Sequence, residues 1–200
     1  KACTSESYSQ GKTVRLEADL DLTGSGFEPV PVFCGTFDGN GHTIDGMSIL
    51  QTGSGLGLFR YLSQEAVVED LKVAGELRPG GSRTKIGGIA GTNRGTIRGC
   101  CFAGTGEALE YLGGIAGINE ETGVIEDCVN QAELTGNRRI GGIAGENAGT
   151  IQNCGNEGEI NTASEGLDED SESRTTLALT PETIEAMEAP LIIEKVYDVG

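Results

Sequence analysis

The chain has 200 residues, 33 of them glycine and only 4% aromatic, with 31 Asp and Glu against 14 Lys and Arg for a formal net charge of −17. That balance excludes nucleic acid and anionic membrane surfaces as partners, because both are bound through Lys and Arg. The scarcity of aromatics disfavours a bulky globular core, no apolar run approaches the ~18 residues of a membrane span, and no basic-then-apolar leader from which to read export opens the chain.

In chain order, residues 1–13 read as a polar, Ser-rich leading segment anchored by Tyr8. Val14, Leu16, Ala18, Leu20 and Leu22 then alternate with Arg15, Glu17, Asp19 and Asp21, and this period of two predicts one half-buried strand. Pro29 and Pro31 end it, and Val32-Phe-Cys-Gly-Thr-Phe37 follows as a second strand. Asp38-Gly-Asn-Gly41 signals a tight turn, since Gly and Asn tolerate positive φ. His42-Thr-Ile44 and Met47-Ser-Ile49 are read as separate short strands around Asp45-Gly46.

A repeat then takes over. Ile86-Gly-Gly-Ile-Ala-Gly91 returns at Leu112 and at Ile140, with Gly87, Gly113 and Gly141 spaced by 26 and 28 residues. Each block is followed two positions on by Asn93, Asn119 or Asn147, then by a turn glycine, an isoleucine and a cysteine. The step from isoleucine to cysteine is always three residues, at Ile97 and Cys100, Ile125 and Cys128, and Ile151 and Cys154. The longer period comes from two extra residues in Glu120-Glu-Thr-Gly123, a turn insertion of the kind repeats place in loops. Gly57-Leu58-Phe59, Val68 and Leu71 make a degenerate earlier copy, so the copies lie near residues 56–77, 86–106, 112–134 and 140–160. Six residues after the cysteine place stand Leu77, Leu134 and Ile160, while the second copy has Gly106.

Paired glycines inside the pattern exclude a helical repeat, since each costs about 1 kcal/mol relative to alanine in a helix interior. Short Ile, Val and Ala runs broken by glycine predict an all-β fold, a parallel β-helix or solenoid over residues 1–162. Its coils stack equivalent residues about 4.8 Å apart, Ile on Ile, Cys on Cys and Asn on Asn. Cys100, Cys128 and Cys154 are expected to point inward as small apolar residues, at a spacing that leaves a bridge between two rungs open. Cys101 is expected to point outward, and Cys3 and Cys34 have no evident partner. No Cys-x-x-Cys occurs, which argues against zinc. Residues 163–200 are expected to form an acidic linker followed by a short helix starting at Thr180-Pro181 and running through Met187, then a strand over Leu191–Val199.

The succession Phe37-Asp-Gly-Asn-Gly-His-Thr-Ile44, Gly57-Leu-Phe59, Gly-Gly-Ile-Ala-Gly-x-Asn and Gly-Thr-Ile-x-x-Cys resembles the GLUG-motif repeats of bacterial cell-surface proteins. The resemblance extends over roughly Val14 to Ile160. It implies a right-handed parallel β-helix, in large secreted or wall-attached proteins that include adhesin-like proteins and the non-catalytic regions of some bacterial immunoglobulin A peptidases.

Chemistry-bearing residues are few. His42 is the only histidine and is read as a rung-edge residue rather than a base. A β-helix lyase or hydrolase needs converging carboxylates, for which Asp38 with Asp45 is one candidate pair; Glu126 and Asp127 are adjacent and face opposite ways. Asp19-x-Asp21-x-Thr23-Gly24 opens like a calcium loop, but Val30 stands where the closing Glu belongs. Asn93, Asn119 and Asn147 are expected to form an amide ladder, and Tyr111 with Arg138 and Arg139 a small basic and aromatic patch. The expectation is a non-catalytic, extracellular, adhesin-like binding module at the bacterial cell surface, without catalytic residue, metal or cofactor and without a membrane span. Its expected partners are host or bacterial glycans or surface proteins, within a larger surface protein. The alternatives are a structural spacer or accessory region of such a protein, and a polysaccharide lyase or hydrolase.

Overall fold

The structure, a computed structural model, describes residues 5–80 and 85–162. Cys3, the acidic linker, and the helix and strand expected after Thr180 lie outside the described residues. The chain winds as a parallel β-solenoid of about five turns with almost no helix. Three sheets run along it. The first has six short strands, Thr13–Arg15, Thr36–Asp38, Val67–Glu69, Thr96–Arg98, Val124–Glu126 and Thr150–Gln152, each parallel to the next. The third has four, Phe59–Leu62, Ala90–Asn93, Ala116–Asn119 and Ala144–Asn147, and the second sheet carries the remaining strands, the longest being Cys101–Gly113.

Register makes the core from rows of like residues. Val14, Phe37, Val68, Ile97, Ile125 and Ile151 stack in the first sheet. Leu20, Ile44, Val73 and Phe102 stack in the second and are continued by Asn130 and Asn156. Ile97 and Ile125 are wholly buried, each contributing roughly 1.5–3 kcal/mol of transfer free energy. Leu71, Cys100 and Cys128 line the interior as expected, Cys154 is half-buried, and the described cysteines are free thiols rather than bridged. Gly106 interrupts its leucine row because Leu112 of the same strand occupies the space; a Cβ there would lie 2.9 Å from Leu134 and 3.2 Å from Leu112.

The corners explain one further row of residues. Asp70, Gly99, Asp127 and Asn153, each just before Leu71 or a core cysteine, have φ of 49°, 59°, 53° and 52°. The left-handed corner accepts only Gly or the short polar residues that bond locally, and those are the residues found. The Gly-Gly-Ile-Ala-Gly motif has a different cause. Gly87 and Gly88 are not in the positive-φ region; a Cβ on Gly87 would stand 2.5 Å from the Ala116 Cα, and one on Gly117 would strike the Lys85–Ile86 backbone. Gly87 and Gly117 let the end of the second sheet and the third sheet lie backbone against backbone, whereas Gly88 leaves room for the Phe102 ring.

The leading part of the chain departs from expectation. Residues 14–22 form two strands, Thr13–Arg15 and Leu20–Asp21, on different sheets, because the chain turns a solenoid corner between them. Val14 and Leu20 stand in the core rows but are each 44% exposed, since no rung covers them among the described residues. Of the expected 32–37 strand only Thr36 and Phe37 are regular, within the strand Thr36–Asp38; Phe33, and Val30 before it, make single bridges to Leu62 and Phe59. Residues 43–49 form one strand rather than two, bulged at Asp45-Gly46 with Gly46 at φ 67°. The leading segment holds a short helix, Glu6–Ser9, anchored by buried Ser9, whose Oγ accepts the Cys34 N–H at 2.9 Å. Tyr8 is exposed, its ring carrying Lys12 Nζ at 4.4 Å from the centroid.

Candidate functional site

Parallel register lays the outward side chains in ladders as well. Along the first sheet one outer row reads Thr13, Thr36, Val67, Thr96, Val124, Thr150, and the next reads Arg15, Asp38, Glu69, Arg98, Glu126, Gln152. The second row binds itself together: Arg15 Nε lies 3.4 Å from Asp38, Arg98 pairs with Glu69, and Gln152 Nε2 donates to Glu126 at 2.7 Å. The result is a narrow flat face of β-branched side chains bordered by a neutralised polar stripe.

The candidate carboxylates do not converge. Asp38 belongs to the first sheet, where its Oδ1 accepts the Asn40 N–H at 2.8 Å and so closes the expected turn. Asp45 lies on the second sheet, its Oδ1 accepting the Gly46 N–H at 2.7 Å. Glu126 belongs to the polar stripe, while Asp127 forms a left-handed corner. His42 donates from Nδ1 to Asp19 Oδ1 at 3.0 Å, and the Thr43 N–H reaches the same oxygen at 2.9 Å. The Thr43 N–H first, and then His42, hold the Asp19 carboxyl below its ordinary range. The Asp21 carboxyl is lowered in the same way by the Thr23 N–H and hydroxyl. Among the described residues no three His, Cys, Asp or Glu side chains are grouped to hold a metal ion, and no helix is long and apolar enough to cross a membrane.

The amide ladder is present, with Asn93 and Asn119 buried and Asn147 exposed at its end. Asn93 donates from Nδ2 to Asn119 Oδ1 at 2.8 Å, and Asn119 to Asn147 at 2.8 Å, while each also bonds the loop that follows it. A second ladder escaped the sequence reading: Asn130 donates to Asn156 at 2.7 Å. Its signal was the shared Cys-x-Asn of Cys128 to Asn130 and Cys154 to Asn156, masked by Phe102 in the preceding copy. The Arg139 guanidinium lies 4.6 Å from the Tyr111 ring centroid, donates to the Tyr111 hydroxyl and pairs with Glu146 at 2.6 Å. The patch is therefore largely satisfied within itself.

Depressions lie between the rungs of the described residues. One, of about 470 Å³, follows the corner between the first and second sheets past Arg15, Asp38, Asn40, Asp70, Lys72 and Cys101. Cys101 faces it half-buried, its thiol pKa raised by burial, with Sγ 3.4 Å from Gln131 Oε1. Another, of about 660 Å³, opens between the 22–31 loop and the 48–60 segment; its walls include Leu22, Phe27, Pro29, Pro31, Leu50 and Leu56. Neither cleft was apparent in the sequence, because each joins segments from different rungs.

No family model matches this chain, and no solved structure matches it. The chain is similar to halomucin of Haloquadratum walsbyi, with 32% identity over 144 residues, or 64% of this chain. It spans 2% of the length of halomucin.

Proposed function

We propose that this solenoid is a non-catalytic binding module of GLUG type, displayed outside the cell as part of a larger surface protein and adhesin-like in its action. The observation that carries this reading is the outward ladder of Thr and Val, which offers a β-branched side chain at every rung to a repetitive or extended partner. The similarity to halomucin, confined to 2% of that protein, supports a module within a much longer surface polypeptide. Halomucin is archaeal, so a bacterial host rests on the motif resemblance alone. The separation of Asp38 from Asp45 onto different sheets weighs against a lyase or hydrolase. A spacer is favoured by one observation, the self-pairing of the polar stripe, which leaves fewer groups for a partner.

The test is retention of the purified chain on immobilised mucins, matrix proteins and polysaccharides across a salt series, with released sugar assayed in the same wells. Retention that survives salt without product is expected. Sugar release would establish an enzyme, and absence of retention on every surface would establish a spacer.

A further inference from the structure

The cleft between the 22–31 loop and the 48–60 segment is lined by an arginine that has no acidic partner among the described residues. Arg15, Arg78, Arg94, Arg98 and Arg139 each pair with a carboxylate, whereas Arg60, which lines this cleft, has no carboxylate within ion-pair distance among the described residues. The guanidinium is nevertheless held in place. Its Nε donates to the Gly55 carbonyl at 3.2 Å and its Nη2 to the Ser54 carbonyl at 3.0 Å. Two of five N–H groups are thus engaged, and the remaining three form a fixed, unfilled fork of the kind that takes a carboxylate.

The walls narrow the class of ligand. Leu22, Phe27, Leu50 and Leu56 supply apolar surface, and Leu50 is 58% exposed. Ser48, Gln51 and Thr52 add side chains that both donate and accept, and Glu28 adds a carboxylate. A polyanionic sugar chain would face Glu28 and the apolar wall. An extended peptide brings apolar side chains for the leucines and one carboxylate for Arg60.

We propose that this cleft binds a peptide bearing apolar side chains next to a free carboxylate, with Arg60 clasping the carboxylate. The site rests on its own geometry and is independent of the ladder-based reading above.

The experiment titrates the full chain, isotope-labelled, with N-acetyl-Leu-Leu carrying a free carboxylate, with its C-terminal amide and with glucuronic acid, following the Arg60 Nε–Hε signal and the Leu50 and Leu56 methyls by NMR. The free acid is expected to shift all three sets of signals. Arg60→Met should weaken it about tenfold and Arg60→Lys should restore part of the loss, with the amide spectrum otherwise unchanged to show an intact fold. Equal binding of acid and amide, binding of glucuronic acid in place of the peptide, or no shift at millimolar peptide would each overturn the proposal. Because these probes do not touch the outward ladders, failure here leaves the retention assay to judge the surface-module reading.

Discussion

Asp127 and Gly114 show how much a single position decides. Asp127 sits at φ 53°, in a row that has Gly99 one rung away. Asp127→Gly is expected to change stability by less than about 1 kcal/mol, while Asp127→Val, which cannot use a local side-chain bond to offset the left-handed strain, should cost about 1–2 kcal/mol in denaturant melts. Gly114 is constrained by space rather than by φ, since a Cβ there would run into the Asn130 side chain and the Gly142 carbonyl. Gly114→Ala should therefore destabilise by about 1–3 kcal/mol, through overpacking, in the same measurement. Asp19 governs acid sensitivity at the leading end. Its folded pKa is depressed below the ordinary 3.8 by the Thr43 N–H and His42, so its contribution is present above that value and disappears as pH falls through the folded pKa. Asp19→Asn should flatten the loss of stability below pH ~4, read from urea midpoints across an acid series.

Among the elements, the repeat copies were legible and the first rung was not. Identical spacing from Ile to Cys places Ile97, Ile125 and Ile151 in one row, because parallel in-register stacking converts sequence period directly into contact. Residues 14–22 misled because alternation reports which side of a chain is apolar and carries no mark of where the chain turns a corner. The paired glycines were legible as punctuation, but the backbone that the first of each pair approaches and the side chain that the second makes room for lie elsewhere in the coil and could not be seen in one copy. The clefts were illegible for the same reason, with Arg60 and Glu28 lying 32 positions apart. Position along the stack also sets energetic weight. Ile125→Ala, in a closed rung, should cost about 2–5 kcal/mol, and Ile151→Ala, half-exposed in the last described rung, clearly less when both are melted side by side. Asn119→Ala interrupts the buried amide ladder and should cost about 1–3 kcal/mol, with amide exchange accelerated in the loops after Asn93 and Asn119.

For the whole molecule, charge and winding matter most. At a net charge of −17 the folded chain repels itself, and the ion pairs of its outer stripe are exposed pairs of small individual worth. Thermal midpoints are expected to rise from low salt to about 1 M, where the screening length falls to about 3 Å; a fall would mean that the stripe outweighs the repulsion. The one-dimensional stacking has a mechanical consequence. Each rung adheres only to its neighbours, so tension applied along the axis peels rungs singly instead of shearing the stack at once. A released rung of 26 residues adds close to 85 Å of contour at about 3.3 Å per residue. Pulled between its ends in a force spectrometer, this solenoid should lengthen as a series of separate steps of one rung each, behaving as an extensible tether that dissipates load rather than as a strut.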